Sequence, residues 1–417
     1  MVMCAAAVLL TPATAGAVNQ VTFSQVANLT TPRQDPGAAP LPDGRILVVG
    51  GYNDTDLALK SAEVFDPNTN TFGPIGATMA EGRYAPGVAA LPDGRILVAG
   101  GWHDGNDIAS AEVFNPSSGT FSPVGSMATV REEPGAAPLP DGRVLIIGGY
   151  AQTAAVNTTE VFDPKTNSFS PGPTLPYGTY YTAVAVISGG RVLIAGGFDD
   201  TTMDFTDKAL VFNPSSNTFA SVGSLPARTN APSGASLPGG RALVAGGYDP
   251  DASGFTTRAQ AFDPATNSFS STGIGNLVHP REEAAAAELP DGRVLVAGGY
   301  FASPAERLDT AEVLSVPSNS FKSKLKGRKV KLSVSTEGVA QVTDLSTKVA
   351  TTAGKKKPKL VKTTSKHGGP GTIVVKIKLT KQGSAKLRQK GKLKVRVVYT
   401  PDGGVAATKK LKLRAGK

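Results

Sequence analysis

The sequence is short of the residues that usually carry chemistry. One cysteine, three histidines and one tryptophan are spread over 417 residues. The single Cys4 excludes an internal disulfide framework. His103 and His279, the only histidines before residue 322, are too few and too scattered for a histidine-rich metal centre. Beyond the N-terminal segment no stretch approaches the roughly 20 apolar residues of a membrane-spanning helix. Acidic residues all but vanish from the last quarter. From Lys322 to Lys417 only Glu337, Asp344 and Asp402 stand against 23 Lys and 4 Arg, a net of +24, so the total of +10 leaves −14 to residues 1–321. The chain joins an acidic part to a basic one.

What is present is repetition. LPDGRILVVGG at 41–51 returns as LPDGRILVAGG at 91–101, and near-copies follow at 139–149, 187–197, 237–247 and 289–299. The first glycines of the pairs are Gly50, Gly100, Gly148, Gly196, Gly246 and Gly298, spaced by 48 to 52 residues. Such a period marks an array of stacked units. Each unit reads as four short strands with no helical period. A small-residue run such as PGAAPL at 36–41 comes first, suited to a place where many strands converge. PDG then turns the chain, with Pro fixing φ and Gly accepting positive φ. The β-branched run after the turn is a fully buried strand. Its glycine pair lets the backbone pass close to a neighbour, and an aromatic follows: Tyr52, Trp102, Tyr150, Phe198, Tyr248 or Tyr300. The third strand is AEVF at 62–65 and its variants. The fourth opens with Phe72, Phe121, Phe169, Phe219, Phe269 or Phe321, each seven residues after the third strand ends.

Four strands per fifty residues, repeated radially, predict a propeller blade. The glycine pair, the following aromatic, the DP-x-T-N-x-aromatic turn and the Arg before the first strand resemble kelch repeats over about 21–321. The resemblance implies an all-β, six-bladed kelch β-propeller; the kelch name also covers radical copper oxidases related to galactose oxidase. Phe replaces the usual Trp on the fourth strand, and the fourth repeat lacks the Arg. A ring needs its ends joined. VTFSQVANLTTPR at 21–33 reads as the end of a repeat placed before any beginning, so it is expected to add the outer strand of the sixth blade. Phe321 onward is the rival for that position.

The expected domains are a signal peptide at 1–17, the propeller at 18–321 and a basic module at 322–417. The first rests on an apolar stretch that ends in A-x-A patterns, and it predicts a secreted protein that has shed Cys4; a buried apolar strand is the other reading. In the last, KVKLSVS, TIVVKIKL, KLKVRVVY and KKLKLR alternate charge with apolar residues and predict half-buried strands of a small immunoglobulin-like β-sandwich, weakly similar to modules appended to secreted actinobacterial proteins. Its lysines suit an anionic cell-wall polymer or membrane surface, docking on the acidic propeller, or plain solubility. Nucleic acid is disfavoured, because only Tyr399 is available for stacking after Phe321.

Candidate ligand-binding residues lie where the loops before the first strands converge. These read RQD (33–35), RYA (83–85), REE (131–133), TYY (179–181), RTN (228–230) and REE (281–283). In kelch domains such positions commonly face a ligand. The set is Arg33, Asp35, Arg83, Tyr84, Arg131, Glu133, Tyr180, Tyr181, Arg228, Asn230, Arg281 and Glu283. The arginines have a second reading, as ion-pair locks between blades. In each Glu doublet one residue alone can face the channel, because neighbours on a strand point opposite ways. Two functions follow. One is a monomeric binding or scaffolding protein that recognises a glycan or protein at the propeller mouth and needs no cofactor. The other is a sugar-processing enzyme resembling sialic-acid mutarotases, with Glu133 or Glu283 as acid–base group and Arg131 or Arg281 holding an acidic substituent. Radical copper chemistry of the galactose oxidase type is disfavoured, since it needs a cysteine crosslinked to a tyrosine. HDGND at 103–107 and DPDASG at 249–254 are read as ordinary loops without full calcium-loop spacing.

Overall fold

The computed structural model describes residues 21–302 and 305–315 and, further on, backbone segments between 321 and 414. Residues 21–315 form six four-stranded antiparallel sheets. Blade 2 shows the plan: Gly87–Ala90 innermost, then Ile96–Ala99, Ala111–Asn115 and Thr120–Pro123 outermost. The second strand of every blade is buried along its apolar run, as in Ile96–Ala99, because it is covered by a neighbouring blade on either side. Between blades 1 and 2, Leu47, Val49, Val64 and Met79 meet Ile96, Val98 and Phe114. These interblade layers, one after another round the ring, are the core.

The innermost strands show why small residues were needed. A Cβ on Gly37 would stand 2.1 Å from Val88 Cγ2 of the next blade. At the end of the second strand, Gly100 has φ of 67° and a Cβ there would stand 2.5 Å from the Arg131 carbonyl oxygen. That closeness lets the Gly101 N–H donate to Arg131 O at 2.7 Å, joining blade 2 to the start of blade 3.

The ring closes through its N-terminus. Phe23–Gln25 pairs antiparallel with Ala311–Leu314, with Phe23 opposite Leu314. In the other five blades a third-strand Phe faces the outer-strand Phe, as Phe114 faces Phe121 with ring centroids 4.9 Å apart. Blade 6 has Leu314 in that place and takes Phe23 from the other end of the chain. Phe321, which the spacing offered as a sixth outer-strand aromatic, instead begins Phe321–Lys326, paired with Lys329–Val334. Across the seam the Gly299 N–H donates to Arg33 O at 2.7 Å, and Arg293 donates to Pro67 O at 3.0 Å.

Each blade from 2 to 6 also carries a two-stranded hairpin after its glycine pair, such as Trp102–His103 with Asn106–Asp107. The sequence was expected to form plain loops there. HDGND forms the first of these hairpins, and in DPDASG the Asp249 carboxylate accepts from Arg258 at 2.8 Å and from the Asp251 and Ala252 N–H groups.

Farther along, Lys329–Val334, Gly371–Lys376, Lys392–Pro401 and Ala407–Arg414 are strands. They fall in a three-stranded and a four-stranded sheet that also include Gly338–Asp344 and Thr364–Gly368. The packing expected of a β-sandwich and the N-terminal signal segment lie outside the described residues.

Candidate functional site

The converging loops sort their residues into three destinations, one per position. The first position turns into the blade. Arg33, Arg83, Arg131 and Arg281 are fully buried. Arg131 donates to Gly148 O (2.6 Å), Thr158 O (2.9 Å) and Glu160 Oε1 (3.2 Å). Glu160 in turn accepts the N–H groups of Ala128 and Thr129. Glu63, Glu112 and Glu312 repeat this with Arg33, Arg83 and Arg281. These four arginines therefore leave the ligand-binding set: every one is inside the ring, paired with a carboxylate on its own blade rather than a neighbouring one. Blades 4 and 5 place Thr179 and Thr229 there, opposite Leu210 and Gln260. Arg and Glu are thus present together or absent together, a co-occurrence visible in the six repeats that would have marked the arginines as structural. Arg228 lies one residue before that position, on the surface, paired with Asp204 and Asp251.

The second position faces the mouth: Gln34, Tyr84, Glu132, Tyr180, Asn230 and Glu282. Five of these pair by backbone with the aromatic after a glycine pair, as Tyr84 does with Trp102 and Glu132 with Tyr150. Aromatic rings consequently surround the mouth. Tyr84 lies between Tyr52 and Trp102, with centroids 6.1 and 5.3 Å away. Tyr180 contacts Tyr150, Tyr181 and Phe198 at 5.4, 5.1 and 5.1 Å.

The third position points to the channel axis: Asp35, Ala85, Glu133, Tyr181, Ala231 and Glu283. All six have φ between 46° and 57°. This left-handed backbone breaks strand alternation and sends the third side chain inward. It is uncommon for residues other than Gly and notable for one as bulky as Tyr181. The ring is stitched by N–H···O=C bonds between blades, among them Ala85 N to Asp35 O (2.9 Å), Glu133 N to Ala85 O (3.0 Å) and Asp35 N to Glu283 O (3.0 Å). The six residues and their neighbours enclose a cavity of about 130 Å³. Beyond it runs a channel of about 610 Å³, lined mostly by Pro, Gly, Ala and Val residues of the inner strands, with Thr182, Ser233, Ser236 and Glu288 as its polar groups.

Three carboxyl groups therefore meet on the axis. Burial raises Asp35 well above the usual carboxylate range, and Glu283 and Glu133 raise it further. Burial likewise holds Glu133 well up, with Glu283 adding to it. Glu283 is raised by burial, opposed by hydrogen bonds from Gln34, Asp35 and Tyr181. On the tier above, burial pushes Glu132 up to about 7 and, with help from Glu283, Glu282 up to about 8. Among the described residues no group of three His, Cys, Asp or Glu is arranged to hold a metal ion.

Of the proposed ligand set, the structure brings Asp35, Tyr84, Glu133, Tyr180, Tyr181, Asn230 and Glu283 together at the mouth. Sequence reasoning passed over Gln34, Tyr52, Trp102 and Arg307, and of each Glu doublet it kept Glu133 and Glu283 alone, whereas Glu132 and Glu282 also face the mouth. The aromatic after each glycine pair was the available signal for Tyr52 and Trp102. Arg307 had none, since its hairpin was not foreseen.

A family model described as the Kelch motif matches residues 37–73, 83–128, 135–176 and 180–226. No curated protein matches the chain. The matches fall on blades 1 to 4, and blades 5 and 6 repeat the same strand order. Motif and architecture agree: the repeat array is a six-bladed kelch-repeat β-propeller.

Proposed function

We propose that this protein is a non-catalytic binding or scaffolding protein that seats a segment of another protein on the propeller mouth. Kelch propellers commonly serve as protein-binding scaffolds, and the observation that carries the reading here is the mouth itself. Partly exposed aromatic rings stand round a sunken group of carboxyl and amide side chains, an apolar wall with a few convergent polar groups. Left-handed backbone at non-glycine residues stores strain, and such strain clusters at functional sites. The mutarotase-like alternative loses its footing because Arg131 and Arg281, which were to hold an acidic substituent, are locked inside their blades.

A display screen of peptides and glycans against the full chain tests the reading. The selected ligand is expected to be a peptide, and Tyr84→Ala or Trp102→Ala should weaken it at least about tenfold, the loss of one well-buried aromatic contact. A ligand indifferent to both variants, in proteins with unchanged circular dichroism, would place binding elsewhere. Secretion is part of the proposal, supported by the N-terminal sequence. So is association of residues 322–417 with an anionic cell-wall polymer or membrane surface, supported by their net charge of +24. Sedimentation of the full chain with anionic vesicles should weaken steeply as salt shortens the Debye length from about 10 Å to about 3 Å; salt-insensitive sedimentation would count against it.

A further inference from the structure

The polar lining of the mouth is one-sided. Gln34 Oε1, Glu133 Oε2 and Asn230 Oδ1 are buried acceptors without a hydrogen-bond partner. The amide nitrogens of Gln34 and Asn230 are already committed, to Glu283 Oε2 at 2.6 Å and to Glu282 Oε2 at 3.4 Å, which leaves both amide oxygens free. Asn230 is only 8% exposed. A buried unsatisfied acceptor costs about 1–3 kcal/mol, so each calls for a donor; Gln34 and Glu133 line adjoining cavities, and Asn230 lines neither. Gln34 opens on a cavity of about 240 Å³, walled by Tyr52, Tyr84, Trp102 and Arg307 and floored by Asp35 and Tyr181. It shares Asp35 and Tyr181 with the axial cavity that holds Glu133 and Glu283.

We infer that this pocket receives the side-chain ammonium of a lysine presented by a polypeptide, with the aliphatic stem against Tyr84 and Trp102 and the ammonium among Gln34, Asp35 and Glu133. The inference rests on the binding reading above and names the chemistry of its ligand. An ammonium has three donors and no acceptor, the complement of this lining. It is compact enough for the axial cavity of about 130 Å³. Aromatic faces attract a cation on its way in. The wall already shows that preference: the Arg307 guanidinium lies 4.7 Å from the Tyr52 ring centroid, held from outside by Asp54 at 2.7 Å. No Lys or Arg lines the axial cavity among the described residues, although the charge of Arg307, in the wall of the outer pocket, favours an ionised Glu283.

Trp102 is the only tryptophan in the chain, and its fluorescence therefore reports on this pocket alone. Full-length protein titrated with Nα-acetyl-lysine N-methylamide and with a lysine-centred peptide should give saturable changes, the peptide binding tighter. The Nε-acetylated forms of both should bind at least about tenfold more weakly, the loss of a charged hydrogen bond. Glu133→Gln and, separately, Gln34→Leu should weaken the lysine ligands at least as much as that. Glu288→Gln, in the channel beyond, should leave them unchanged. Equal binding of the acetylated forms would overturn the inference. So would undiminished affinity in both mouth variants, or cadaverine binding as tightly as the peptide, which would make free amines the ligand. A lysine-free peptide that binds and is lost in Tyr84→Ala would defeat the ammonium and leave the binding reading standing; failure of every peptide would defeat both.

Discussion

Two sets of buried carboxylates in this propeller meet opposite fates. Glu63, Glu112, Glu160 and Glu312 each face a buried arginine and, at the same time, accept two backbone N–H groups from the incoming loop. Asp35, Glu133 and Glu283, each two residues after one of those arginines, meet one another on the axis with no arginine among the described residues that line the cavity. The first set is satisfied and holds the ring. In the second, Glu133 Oε2 is left without a hydrogen-bond partner, which is what a ligand needs to find. The difference is one of backbone: position one turns into the blade with ordinary alternation, and the left-handed third position redirects its side chain to the axis.

The largest effect should come from breaking a lock. Arg131→Leu leaves Glu160 buried without its partner, and removing one member of a buried pair costs about 3–5 kcal/mol. Thr179→Leu, at the same position of blade 4, removes only a hydrogen bond to Phe198 O, worth about 1 kcal/mol. Urea unfolding of the two variants should separate them clearly. Similar losses would mean that the arginine is not what distinguishes these blades.

A smaller effect is expected when the lock is replaced rather than broken. Blade 4 fills the two positions with Thr179 and Leu210, and buried ion pairs exchanged for packed neutral residues are often close to neutral. Arg131→Thr combined with Glu160→Leu should therefore recover more than half of the stability lost in Arg131→Leu. If the double variant is as unstable as the single one, the loop N–H groups of Ala128 and Thr129 need Glu160 more than Arg131 does.

The ring was legible because its punctuation is regular: PDG turns, glycine pairs and the DP-x-T-N turn each impose a local geometry that only one strand order satisfies. Closure by residues 23–25 could be read from an outer-strand sequence with no strands before it. The roles of the loop triplets could not. Period-two alternation predicts that positions one and three share a face, whereas Arg131 goes into the blade and Glu133 to the axis, because Glu133 has a φ of 54°. Nothing in REEP signals that conformation. The Arg–Glu partnership was available in the sequence, since Glu63, Glu112, Glu160 and Glu312 occur only in repeats that carry the arginine, but the two positions lie some thirty residues apart.

The smallest effect is one of pH. Glu282 titrates near 8 in the folded protein, raised from 4.5 by burial and by Glu283. The unfolded chain loses that proton at lower pH, so between about 5 and 8 it binds fewer protons than the native state, and native stability falls as pH rises. Glu132, raised to about 7, adds to the slope. Asp35, Glu133 and Glu283 are also pushed upward, and the hydrogen bonds from Gln34 and Asn230 oppose the rise at Glu283 and Glu282. Glu282→Gln should leave stability at pH 5 nearly unchanged, because the native side chain is then already neutral, and should stabilise the protein at pH 8. Melting temperatures of wild type and variant would diverge across that interval. A variant destabilised at pH 8 would show that Glu282 is ionised and paired in the folded protein.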